Sequence, residues 1–111
     1  MVARGVRDAE VASSSLAIPT NIMKRLHAIF EGSVQGVGFR YLSRDIAIKL
    51  GITGFIKNLD DGKVEIIAEA EDKTLQEFLE KIRQTFSENI KKEDIQWLEP
   101  SSKFKDFTIK F

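Results

Sequence analysis

From Lys24 onward the spacing of apolar residues switches between a period of two and a helical period, and the order of those switches leaves few folds open. Leu26, Ala28 and Phe30 alternate with His27, Ile29 and Glu31 as far as Gly32, which predicts a strand with one buried face. After a turn with three glycines, Phe39, Leu42, Ile46, Ala47 and Leu50 recur at helical spacing, and Gly51 is a stop signal. Ile52 to Leu59 reads as a second strand. Asp60-Asp61-Gly62 is turn chemistry leading into a third, where Val64, Ile66 and Ala68 alternate with Glu65 and Glu69. Asp72 is placed to cap a second helix that carries Leu75, Phe78, Leu79, Ile82 and Phe86 on one stripe. A charged connector, Glu88 to Asp94, leads to a strand over Ile95–Glu99. Pro100-Ser101-Ser102 then turns the chain, and Phe107, Ile109 and Phe111 alternate in a terminal strand.

The order is βαββαβ plus one strand. Two split β-α-β units joined this way predict an α+β protein, a ferredoxin-like sandwich with one mostly antiparallel sheet of about five strands and both helices on one face. A right-handed crossover makes strands one and two parallel with strand three between them. Their carboxyl ends then share one sheet edge, about two strand spacings or ~10 Å apart. The glycine turn follows strand one and Asn58 ends strand two, so the two meet at that edge.

A chain of 111 residues fits a single domain. Residues 1–22 are rich in small residues, with Ser13-Ser14-Ser15 and Pro19, and read as a flexible extension ahead of a domain over 23–111. Asp8, Glu10 and the serines interrupt any signal-peptide core, and no apolar run is long enough for a transmembrane helix. The expectation is a soluble cytoplasmic protein with no membrane partner. The 17 basic and 17 acidic residues cancel, which removes the broad positive field of a nucleic-acid binder, so any anion must be bound locally. With no cysteine and one histidine, His27, the chain offers no disulfide, no thiolate or multi-histidine metal site and no phosphocysteine chemistry; no metal and no cofactor are expected.

Gly32-Ser33-Val34-Gln35-Gly36-Val37-Gly38-Phe39-Arg40 is a glycine turn that enters a helix and closes on an arginine. Backbone amides in such a turn can form an anion nest, the helix start adds partial positive charge, and a guanidinium suits two phosphate oxygens. On glycine spacing alone an ordinary strand-to-helix turn with a solvated arginine fits equally well. The known nucleotide loops fail on specific letters. Phe39-Arg40 stands where a P-loop needs Gly-Lys and then Ser or Thr, and the glycines do not follow G-x-G-x-x-G. In Gly54-Phe55-Ile56-Lys57-Asn58-Leu59-Asp60-Asp61-Gly62, Asn58 taken alone is a strand-ending turn residue. Beside an anion nest, its carboxamide can accept from water and donate to a phosphate oxygen.

Together, G-x-V-Q-G-V-G-F-R and G-F-I-K-N-L-x-D-G at this distance resemble the acylphosphatase family, over about residues 24–111. The resemblance implies the same βαββαβ sandwich, catalytic roles for Arg40 and Asn58, and a phosphate-binding loop of Gln35, Gly36, Val37, Gly38 and Phe39. It implies a metal-independent hydrolase acting on acyl phosphates, with inorganic phosphate as product and inhibitor, working as a monomer. Ser33, Phe55 and Phe111 depart from the common pattern without touching a catalytic group. The same module occurs within larger hydrogenase-maturation proteins, but those add cysteine zinc motifs that this sequence lacks.

Other readings are weaker. RNA-recognition modules share the βαββαβ order but stack bases on open-face aromatics, where Glu65, Ile67 and Glu69 stand here and repel phosphate. A non-catalytic anion-binding ferredoxin-like module is the alternative to an enzyme. Alternation puts His27 on the solvent side of strand one, away from the loop, with no catalytic role. Glu69-Ala70-Glu71-Asp72 reads as a helix start and solvated surface rather than a cation site. Trp97 and the eight phenylalanines read as core or edge packing.

Overall fold

The computed structural model describes residues 22–111; the predicted extension over 1–22 lies outside them except for Ile22. The elements are β1 (Met23–Gly32), α1 (Phe39–Lys49), β2 (Thr53–Asn58), β3 (Val64–Glu71), α2 (Asp72–Thr85), β4 (Ile90–Leu98) and β5 (Phe107–Lys110). They build one five-stranded sheet in the order β4-β1-β3-β2-β5. β3 runs antiparallel to both β1 and β2, β4 antiparallel to β1, and β5 parallel to β2. β1 and β2 are therefore parallel with β3 between them, as the periodicity predicts. The expected α+β ferredoxin-like architecture is the one observed.

The core is the apolar side of this alternation. Leu26, Ala28 and Phe30 of β1, Ile56 of β2, Val64, Ile66, Ala68 and Ala70 of β3 and Phe107 of β5 pack with Leu75, Phe78, Leu79 and Ile82 of α2. Phe86, at the C-cap of α2, stacks on Phe39 with ring centroids 4.5 Å apart, and Phe39 meets Phe30 at 5.4 Å. The first helical turn of α1 is thus pinned by an aromatic side chain in the core, next to the glycine turn.

Several local expectations are corrected. On α1 the buried residues are Phe39, Ser43 and Ala47, while Leu42 is exposed. At about 100° per residue, Ser43 lies ~40° to one side of Phe39 and Leu42 ~60° to the other, so a small rotation of the helix exchanges them. Glu71, not Asp72, is the N-cap of α2; it is extended and makes no side-chain cap bond, and Asp72 instead puts its charge in the first turn. The charged stretch read as a connector belongs to β4, which starts at Ile90 and pairs only with β1. An edge strand has no second neighbour to bury against, so it carries charge. Glu93 there receives a bidentate bond from Arg83 of α2, with Arg83 Nε 2.9 Å from Oε2 and Nη2 2.8 Å from Oε1, which holds the guanidinium above its usual pKa.

The open face also differs from the expected solvated surface. Glu69 is buried, only 2% exposed. It accepts from Arg25 Nε at 2.8 Å, Ser101 N at 2.7 Å, Ser101 Oγ at 3.1 Å and Ser102 N at 3.0 Å. The β4–β5 connection folds back over the sheet at this point, and Phe104 packs on Phe55 at 6.0 Å between ring centroids. His27, on the same face, does not point freely into water: its Nε2 lies 2.8 Å from Glu65 Oε2. Trp97 is a half-exposed edge residue as expected, whereas Phe111 is 95% exposed and belongs to no core.

Candidate active site

The turn between β1 and α1 reverses the chain through glycines that only glycine suits. Gly36 and Gly38 have φ of 79° and 78°, left-handed values that side chains disfavour, although a Cβ at either would meet open space. Gly38 is also the N-cap of α1, and with no side chain it provides no cap bond. The first-turn amides of α1 are left over by helix geometry and lie beside the turn, together with the positive end of the helix dipole.

The turn is tethered on both flanks. At its start Ser33 N donates to Asn89 O at 2.9 Å, and Asn89 Nδ2 donates back to Ser33 O at 3.1 Å. On the other side Gln35 Nε2 donates to Leu59 O at 2.9 Å and Lys63 O at 3.0 Å. Those two carbonyls belong to the β2–β3 turn, which Leu59 N closes onto Lys63 O at 2.8 Å. The Gln35 side chain therefore faces the hairpin, which leaves its backbone to the turn.

Val34, Gly36, Gly38, Phe39, Arg40, Tyr41 and Asn58 line a cavity of about 250 Å³. Of the expected site residues, Gly36, Gly38, Phe39, Arg40 and Asn58 meet here. Phe39 sends its ring into the core and has only its backbone for the cavity, and Val37 is half-exposed at the apex of the turn. Asn58 arrives from the end of β2, where it pairs with Val64. Its Oδ1 is buried and has no hydrogen-bond partner among the described residues. Arg40 forms no ion pair among those residues; its guanidinium lies 6.0 Å from the ring centroid of Tyr41 and 5.0 Å from that of Phe111. Val34 and Tyr41 escaped the sequence reading. Tyr41 directly follows the arginine in the first turn of a helix, and that position was its only signal.

A ferredoxin-like sandwich that gathers a glycine turn, a helix start and an arginine with no ion pair among the described residues at one sheet edge is a small α+β protein with a candidate anion site. A family model, Acylphosphatase, matches residues 26–109. An acylphosphatase of Thermotoga petrophila is 40% identical over 93 residues, 80% of this chain and 99% of that one. One from Geobacillus thermodenitrificans is 52% identical over 60 residues, 54% of this chain and 64% of the relative, so that match spans less than two thirds of the relative's length. The crystal structure of the Bacillus subtilis acylphosphatase superposes with a TM-score of 0.74 at 34% identity, over 79% of this chain and 99% of that one. The chain belongs to the acylphosphatase family.

Proposed function

We propose that this chain hydrolyses the carboxyl–phosphate anhydride of acyl phosphates, with Arg40 and the amides of the 35–39 turn holding the phosphoryl group and Asn58 placing the attacking water. One observation carries the reading: Asn58, whose buried Oδ1 has no hydrogen-bond partner among the described residues, lines the same cavity as Arg40, which has no carboxylate partner among them. A buried acceptor left unpaired is costly, and a water that donates to it satisfies it. The water oxygen attacks phosphorus, the bond from phosphorus to the acyl oxygen breaks with its electron pair, and the carboxylate leaves. The water proton passes to a phosphoryl oxygen, giving inorganic phosphate. The leaving group is already good, so the chain's task is to orient the water and to neutralise the phosphoryl oxygens.

Nothing favours the alternative of a non-catalytic anion-binding module. Among the described residues no helix is long and apolar enough to cross a membrane. The reading extends to a monomeric cytoplasmic enzyme over residues 23–111, inhibited by its product phosphate.

Hydrolysis of benzoyl phosphate by the purified chain and two variants tests the assignment. Asn58→Ala is expected to lose about a hundredfold in kcat, the scale of one well-placed transition-state group, while phosphate affinity read by calorimetry stays within a few-fold. Arg40→Lys keeps the charge but loses the planar fork, so affinity and turnover fall together. If Asn58→Ala instead loses phosphate binding and keeps its kcat, Asn58 is a substrate ligand and the water-placing role is wrong.

A further inference from the structure

The cavity has two chemically different ends. The turn amides, Arg40 and Asn58 supply all its polar character, whereas the remaining lining side chains, Val34 and Tyr41, are largely apolar. At about 250 Å³ the space is several times the ~30 Å³ share of one water, so a phosphoryl group does not fill it. Val34 is shut into the core, but Tyr41 is 49% exposed, and Val37 beside it on the turn is 43% exposed. Phe111 is a second exposed aromatic side chain beside the same guanidinium, 5.0 Å from ring centroid to Arg40 Cζ. Exposed apolar groups scattered singly are normal; a cluster at the rim of a polar site is a binding feature.

The Tyr41 ring is also held in place before any ligand arrives. The guanidinium of Arg40 lies 6.0 Å from its centroid and that of Arg44 5.5 Å. Arg44 is itself met by Asp45, with Nη2 3.4 Å from Oδ1. In-line displacement sets the direction of the substrate: the leaving acyl oxygen stands opposite the water on Asn58. Asn58 ends β2 and Tyr41 begins α1, so an acyl group pointing away from Asn58 runs along the α1 side.

We infer that Tyr41, with Phe111 on the same guanidinium, is the specificity-determining wall for the acyl group, and that the chain selects acyl phosphates with a planar apolar acyl part over short ones. This inference rests on the cavity being the acyl-phosphate site. Its test is kcat/KM for benzoyl phosphate and acetyl phosphate in the wild type, Tyr41→Ser and Tyr41→Phe, with the phosphate dissociation constant measured on each. Comparing the ratio between variants cancels the intrinsic difference between the two leaving groups.

The benzoyl-to-acetyl ratio is expected to fall roughly tenfold in Tyr41→Ser, the scale of one lost aromatic stacking contact, and to be kept in Tyr41→Phe. An unchanged ratio in Tyr41→Ser overturns the acyl wall while leaving the reaction standing. So does an equal fall for both substrates with weaker phosphate binding, because Tyr41 then only supports Arg40. A wild type that hydrolyses neither substrate overturns the reaction itself.

Discussion

Asn58 lines the cavity and carries a buried side-chain acceptor that no described residue meets, and Gln35 ties the neighbouring turn to the same hairpin. The two bonds from Gln35 Nε2 to Leu59 O and Lys63 O join the anion turn to the hairpin whose first strand ends in Asn58. On the proposed reading Gln35 acts through its neighbours, setting the distance between phosphoryl group and water. Gln35→Met keeps length and bulk but removes both donors. It is expected to bind phosphate within a few-fold of wild type while kcat falls about tenfold or more, since small misplacements of a reacting atom are expensive in rate. An intact kcat with a lowered Tm would make the bridge merely structural.

At the scale of elements, a buried carboxylate, Glu69, clasps the β4–β5 connection to the sheet beside the Phe104–Phe55 contact. Burial pushes the Glu69 carboxyl up, but bonds from the Ser101 amide, the Arg25 guanidinium, the Ser102 amide and the Ser101 hydroxyl outweigh it and hold it below its ordinary 4.5. The folded protein therefore binds this proton less readily than the unfolded chain. The stability it contributes is present above about pH 4.5 and is lost as pH falls through the lower folded value. Glu69→Gln should cost about 1–3 kcal/mol in urea unfolding at neutral pH, the usual worth of hydrogen bonds to a charged group, and should flatten the acid limb of the stability profile. An unchanged acid limb would mean another group controls it.

This clasp was not legible in the sequence, because Glu69 continues the same alternation as Glu65 and only the returning chain at 101–102 covers it. The same limit hid the start of β4, whose charges suit an edge, and the turn of α1 that buries Ser43 instead of Leu42. What periodicity could read was every element whose burial is decided by its own face: β1, β2, β3 and the full stripe of α2. Arg40, Gly36, Gly38 and Asn58 were legible because their residue types sit at the ends of those elements. Tyr41 and the bridging role of Gln35 depend on which way a side chain turns, and spacing carries no record of that.

For the molecule as a whole, charge at the site comes from Arg40 and a helix start, and among the described residues no group of three or more potential metal ligands gathers anywhere. Hydrolysis is therefore expected to continue unchanged in EDTA, because the guanidinium supplies the positive charge that a divalent ion provides in metal-assisted hydrolysis. A rate lost to the chelator and restored by a divalent cation would contradict this. The sheet order also bears on how the protein becomes active. β1 pairs with β3 on one edge and β4 on the other, so its second edge stays open until the fourth strand is made and brought back. Such distant pairings are slow to form, and the bonds between Ser33 and Asn89 close only when β4 docks. The local β2–β3 hairpin is free to form early with Asn58 in place, but the glycine turn is tied down only when β4 docks, so during refolding the proposed hydrolysis should appear late, after most of the secondary structure.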